Sequence, residues 1–290
     1  MRWQHAREQA IEGLIHACGI SSIAIVALIF IFLLTEGLAL FHTAPVAEFL
    51  GGRHWYPISD PPQFGILPLI LGSFLVTAGA IALSVPAGIA SALFISEVAT
   101  GWAKDLLKTG IELLAAIPSV VLGFIGMTVL APWIKYAFHL PTGLTALTGS
   151  ITLALMAMPT IVSITEDALA SVPRSHREAA LALGSTKWQM MSRVLLPAAR
   201  PGILAAVMLG IGRVIGETMA VMMVTGNAAV IPRTLLQPVR TMTATIAAEM
   251  GEAVRGSEHY FALFAIGIVL FVISFVVNVL ADLFLHRERA

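Results

Sequence analysis

Residues 171 to 202, SVPRSHREAALALGSTKWQMMSRVLLPAARPG, interrupt a chain otherwise dominated by long apolar runs, and the identity of this stretch decides how the rest folds. Pro173 ends the segment before it. Ser175, with Glu178 three residues later, has the spacing of a capping box and predicts a helix start. Gly184 suits a helix stop, and Ser185 or Thr186 can cap a second helix through Trp188, Met190 and Met191. The expected product is a helix, a glycine turn and another helix. Two readings fit these residues: an amphipathic hairpin lying on a membrane surface, which Trp188 and the basic residues suit, or a handle for a partner.

The composition around it is that of an integral membrane protein, for 58% of the 290 residues are hydrophobic and only 12% charged. The formal net charge is zero, so no global bias points to nucleic acid or to an acidic partner. Cys18 is the single cysteine, which excludes an intrachain disulfide and a thiolate cluster. The eight histidines show no metal-ligand spacing, so neither a metal nor another cofactor is expected. The basic N-terminus runs into an apolar stretch longer than a signal-peptide core, and it reads as a retained first membrane helix.

A helix needs about 20 apolar residues to cross a hydrocarbon core of about 30 Å. Six stretches qualify, near 14–40, 66–95, 111–133, 145–165, 201–226 and 259–285, with Pro118 and Pro159 interrupting the third and fourth. The basic residues segregate between the loops. Arg2, Arg7, Lys104, Lys108, Arg174, Arg177, Lys187, Arg193, Arg200, Arg287 and Arg289 fall on one side, and Arg53, Lys135, Arg233, Arg240 and Arg255 on the other. By the positive-inside rule both termini are expected in the cytoplasm. The expected organisation is an N-terminal tail, first span and outer loop over 1–65, a transmembrane domain over 66–285 with its loop at 173–200, and a tail at 286–290. The outer segments 41–65 and 227–258 read either as docking surfaces or as connectors.

The opening stretch resembles a known family. Glu178, Ala179 and Ala180, then three residues, Gly184, nine residues, and Val194-Leu195-Leu196-Pro197 match the EAA loop of the permease subunits of type I ABC importers, with Val194 where the family often has isoleucine. The resemblance implies that Glu178, Ala179, Ala180 and Gly184 form a coupling helix seated in a groove of an ATPase, on an all-α, six-span MetI-like permease fold. ELLAAIPSVVLGF at 112–124 and LGIGRVIGETMAVMMVTGN at 209–227 are similar to the phosphate-specific permeases. Gly216 to Val221 and TATIAAEMGEA at 243–253 look closer to the PstC subunit, while SITEDALASVP before the loop has a PstA-like flavour. The partners so implied are a sibling PstA-like permease, two ATP-binding subunits and an extracytoplasmic phosphate-binding protein. Importers of molybdate or sulfate share the EAA loop and stay open. So do a secondary transporter, although no inverted repeat is evident, and a non-transporting scaffold.

None of the four lysines, Lys104, Lys108, Lys135 and Lys187, comes directly after a glycine, so no Walker loop is present and ATP hydrolysis is expected in a separate chain. No nucleophile elbow or paired carboxylates suggest catalysis. Arg213 is the one basic residue that belongs to neither side. It stands four residues before Glu217 inside an apolar run, on one helix face, close enough to pair. A lone charge at mid-membrane costs about 2.5 to 3.5 kcal/mol on insertion scales, so such residues face protein or water. Two readings are open: a structural clasp between Arg213 and Glu217, or a substrate pathway. In the pathway reading the Arg213 guanidinium meets an oxyanion, Glu217 compensates it when the path is empty, and Thr218 adds a hydroxyl. Gly212, Gly216 and Ala220 are expected on an adjoining face, where small residues let a second helix approach.

Overall fold

A computed structural model describes residues 2–287. The chain begins with α1 (Arg2–Leu38). A short α2 (Val46–Gly51) and a two-stranded antiparallel hairpin of β1 (Trp55–Tyr56) and β2 (Gln63–Phe64) lead to α3 (Leu67–Leu93), which continues through a π-helical turn at Phe94–Val98. Next come α4 (Trp102–Ala116), α5 (Ser119–Ile125), a second π-helical turn, α6 (Ala131–Ala137) and α7 (Ala146–Ser171). After α7 are α8 (Arg174–Ala182), α9 (Lys187–Met190), α10 (Leu196–Ala198), α11 (Arg200–Ile215) and α12 (Met219–Val224). Helices α13 (Met242–Glu249) and α14 (Glu258–Arg287) complete the all-helical body, and residues 288–290 of the expected tail lie outside the described residues.

Among the described residues, five helical segments are long and apolar enough to cross a membrane: Ile11–His42, Leu67–Val98, Ser119–Ala137, Ala146–Ser171 and Glu258–Leu280. The fifth of the six expected spans, 201–226, is divided between α11 and α12. The third is shifted, because Pro118 opens a helix rather than interrupting one. A residue before proline is pushed out of the helical region, and Ile117 accordingly has φ −67° and ψ 126°, so α4 stops at Ala116 and α5 starts at Ser119. Span three therefore runs over 119–137 instead of 111–133. Helix α4 is left as a separate element with no fully buried residue, half-burying Ile111 against the body and tied to α7 by Lys108 Nζ and Glu166 at 3.3 Å. The expected interruption at Pro159 does not occur, and α7 passes through it unbroken.

Helix α7 is the axis of the body. Ile161 is fully buried between Gly88 of α3 and Gly210 of α11, where an added Cβ would meet its side chain at 2.7 and 2.8 Å. Helices in lipid gain no hydrophobic drive toward one another, so close van der Waals contact at small residues holds them together. Around this axis Val76, Ala80, Leu153, Met156, Val214, Val221 and Val239 form one continuous core. Helix α1 stands apart and leans on α14 through Phe30–Phe271 and Phe32–Phe264 ring contacts with centroids 4.6 and 5.4 Å apart.

Much of the segment read as an outer loop, 227–258, returns into the bundle. Ala146 and Leu147 donate backbone bonds to Gln237 and Leu235, Val239 donates to Thr225, and Thr241, Thr243 and Thr245 are buried. At that end the Glu249 carboxylate accepts from Trp55 Nε1 at 3.0 Å and contacts Arg240 and His259, so the segments that carry Trp55, Arg240 and His259 close over Glu249 into one cap. The alternating Thr pattern places hydroxyls where a surface loop would have no need to bury them.

Candidate functional site

The first candidate site is the handle. Pro173 directly precedes α8 and gives it no side-chain cap. The helix thus starts at Arg174, Ser175 falls inside the first turn, and the expected box between Ser175 and Glu178 does not form. A capping box forms instead at the second helix, where Thr186 Oγ1 accepts from Gln189 N at 3.2 Å and Gln189 Oε1 accepts from Thr186 N at 2.9 Å. Between the two helices the chain reverses at Gly184, whose φ of +80° is a left-handed conformation that side chains disfavour. Gly184 N donates to Leu181 O and Ser185 N to Ala180 O, closing the turn. The arm Lys187–Ala198 then meets Arg200–Ile215 at 72°, so the handle stands away from the spanning helix it leads into.

Glu178, Ala179 and Gly184 lie on its exposed side, whereas Ala180 turns inward among Met190, Met191 and Leu195. Leu183 is 89% exposed and Trp188 68%, which is a large apolar surface for the outermost tip of a chain to leave unpartnered. The geometry suits insertion of the tip into a groove on another molecule.

The second candidate site is the interruption between α11 and α12. Arg213 and Glu217 do not pair, and among the described residues Arg213 makes no ion pair. The helix they were expected to share ends at Ile215. Gly216 N still bonds back to Gly212 O, but Glu217 N bonds to Val214 O, one residue short of the α pattern. The carbonyl of Glu217, which a continuous helix would direct at Val221 N, accepts from Thr243 Oγ1 at 2.9 Å. Its carboxylate turns forward to accept from Ala220 N at 3.3 Å, and Thr218 Oγ1 donates to Gly216 O at 3.2 Å. Glycine's poor helix propensity makes the break inexpensive, and Thr243, approaching from α13, makes it specific.

This break also undoes the expected stripe of small residues. Gly212 has open space around it, but Ala220 packs inward, its Cα 2.9 Å from where a Cβ on Gly123 would lie. Glu217 lines a cavity of about 10 Å³ together with Ser73, Thr77, Thr241, Thr243, Val214 and Val221, room for a water-sized group. Arg213 points elsewhere, onto an exposed strip with Leu209, Gly212, Gly216 and Met219. The structure thus gives the two charges separate surroundings, Glu217 beside the cavity and Arg213 on the exposed strip.

Three residues of these sites were not singled out by the sequence. Arg177 Nε and Nη2 donate to Glu97 Oε1 at 3.1 and 3.0 Å, joining the handle to the end of α3, and Thr243 holds the break. Their partners are 80 and 26 residues away, so no local spacing signals them.

Residues 84–290 match the family model described as binding-protein-dependent transport system inner membrane component. A probable ABC transporter permease protein of Bacillus subtilis, YqgH, is 44% identical over 95% of this chain and 90% of its own. The phosphate transport system permease proteins PstC of Mesorhizobium japonicum and Haemophilus influenzae are 38% and 34% identical, over 84% and 83% of this chain and 79% and 82% of theirs. The fold is shared with a bacterial ABC transporter involved in the import of alginate, at a TM-score of 0.66 and 19% identity over 94% of this chain and 95% of that one. It is shared also with the methionine transporter MetNI, at 0.61 and 16% over 77% and 96%. The chain belongs to the family of binding-protein-dependent transport system inner membrane components.

Proposed function

We propose that this chain is a PstC-like permease subunit of an ATP-driven importer that carries inorganic phosphate across a bacterial inner membrane by alternating access. The spanning domain is 66–285, the loop 173–200 is its handle, and both termini face the cytoplasm. It works beside a PstA-like sibling permease, two ATP-binding subunits and an extracytoplasmic phosphate-binding protein. The relatives named as phosphate permeases cover more than four fifths of the chain and support the substrate. The observation that carries the mechanism is the Arg213 guanidinium, exposed and without an ion pair among the described residues, beside a broken spanning helix.

Arg213 supplies a planar, permanently charged fork that fits two oxygens of a tetrahedral oxyanion. Glu217 and Thr218 stand at the adjoining break, where a protonated phosphate can exchange hydrogen bonds as it passes, while the hydroxyls of Ser73, Thr77, Thr241 and Thr243 line the water-sized cavity behind it. On the cytoplasmic face Glu178, Ala179, Ala180 and Gly184 shape the handle through which closure of the ATP-binding subunits moves the spanning helices.

Competition for uptake tests the substrate. In vesicles holding all components, arsenate, which shares the shape and protonation of phosphate, is expected to inhibit uptake at concentrations comparable to phosphate itself. Sulfate and molybdate, fully ionised at neutral pH, are expected to leave it unchanged. Inhibition by sulfate with indifference to arsenate would reassign the permease to another oxyanion.

A further inference from the structure

We propose that Arg177 and Glu97 form a strap through which movement of the handle reaches α3, and through α3 the break at 216–218. This rests on the reading of 173–200 as the ATPase handle. Arg177 projects from α8 and binds two other elements at once. Its Nε and Nη2 donate to Glu97 Oε1 in the π-helical turn that ends α3, at 3.1 and 3.0 Å. Its Nη1 donates to Val172 O at 2.7 Å and Nη2 to Leu169 O at 2.8 Å, at the C-terminal end of α7. A cation at that end also meets the negative pole of the helix. The two side chains are 19% and 11% exposed, so water competes weakly for them.

The apolar cluster beneath the handle, with Leu169, Val172, Ala180, Met190 and Leu195, already attaches it to the body. A largely buried ion pair adds little net stability over apolar packing, so attachment alone is a poor account of Arg177. What the pair adds is direction. Apolar packing lets helices slide, whereas a forked ion pair moves its two ends together. Glu97 lies at one end of α3, while Ser73 and Thr77 near its other end line the cavity that Glu217 borders. Ser73 Oγ also accepts from Met242 N at 3.0 Å, at the start of the helix whose Thr243 holds the break. The 24 residues from Ser73 to Glu97 span about 36 Å as a helix, enough to connect the handle with the break. The chain of contact is therefore handle, Arg177, Glu97, α3, break.

Phosphate imported per ATP hydrolysed, in proteoliposomes of the complete complex with binding protein, tests the strap. Glu97→Gln preserves shape and leaves Arg177 its two carbonyl partners, so the complex is expected to assemble and hydrolyse ATP. The transport yield per ATP is expected to fall about tenfold. Arg177→Ala is expected to fall similarly, and the double variant Glu97→Gln with Arg177→Ala no further, because two ends of one strap cannot be cut twice. Arg177→Lys, which keeps the charge, is expected to recover part of the yield. A yield within twofold of the unaltered complex in Glu97→Gln, multiplying deficits in the double variant, or failure of Glu97→Gln to assemble would each overturn the strap. Absence of phosphate uptake by the unaltered complex would instead strike the functional reading.

Discussion

Arg213→Ala is expected to lower phosphate uptake by about 100-fold or more, with the complex still assembled, because a barrier raised by about 3 kcal/mol corresponds to that change in rate. The figure comes from the value of charge-assisted hydrogen bonds, about 1.5 to 3 kcal/mol each, of which a guanidinium can make two to one phosphate. Arg213 is exposed and makes no ion pair among the described residues, so its removal breaks no clasp within the chain. Removing a charge from the spanning region also relieves the cost of inserting it. Stability should consequently hold or rise while transport fails, a combination that a purely structural arginine would not give. Arg213→Lys keeps the charge and loses the fork, and is expected to fall between the two. Glu217→Gln keeps an acceptor for Ala220 N and is expected to be milder than Arg213→Ala. Radiolabelled phosphate uptake beside thermal stability of the purified complex separates these outcomes. Uptake above half the unaltered value in Arg213→Ala would remove Arg213 from the pathway.

Gly184→Arg is expected to abolish coupled transport. The φ of +80° costs a side-chain-bearing residue about 1 to 2 kcal/mol, a strain the core cluster below the handle can absorb. No atom lies within 4 Å of a Cβ at this position, so the chain itself has room for the new side chain. The damage is directed outward, at whatever receives Leu183 and Trp188. Gly184→Asn separates the two causes, since asparagine tolerates the left-handed conformation and brings no charge. Gly184→Arg is expected to lose ATPase subunits on purification or to hydrolyse ATP without uptake, and Gly184→Asn to retain most of both. Uptake by Gly184→Arg within twofold of the unaltered complex would sink the assignment of the handle.

The handle is legible in the sequence because its determinants are local. Gly184 turns the chain, Thr186 caps the second helix, and Glu178 to Pro197 carry a spacing that needs no tertiary information. The spacing of Ser175 and Glu178 misleads about the first cap, because Pro173 sets the helix start ahead of Ser175. The break is not legible. Arg213 and Glu217 stand four apart in an apolar run, which on spacing alone describes one face of one helix. What divides that helix is the Thr243 hydroxyl, brought by a segment that the sequence presents as an outer loop. Pro118 is conspicuous in the sequence, but its consequence is ambiguous there, since a proline can as readily start a helix as end one. The link from Arg177 to Glu97 depends on the parallel course of α3 and α7, which places Val172 and the end of α3 side by side. Only the fold supplies that.

Passage of phosphate through the break at 216–218 is tested most directly by the accessibility of Thr218. In a complex whose exposed Cys18 is first replaced by serine, Thr218→Cys provides a single thiol on this chain at the break. A small hydrophilic thiol reagent is expected to label it during turnover, and phosphate delivered by the binding protein is expected to slow that labelling where sulfate does not. A thiol that stays unlabelled throughout the ATP cycle, or that reacts at the same rate with and without phosphate, would contradict passage by this route.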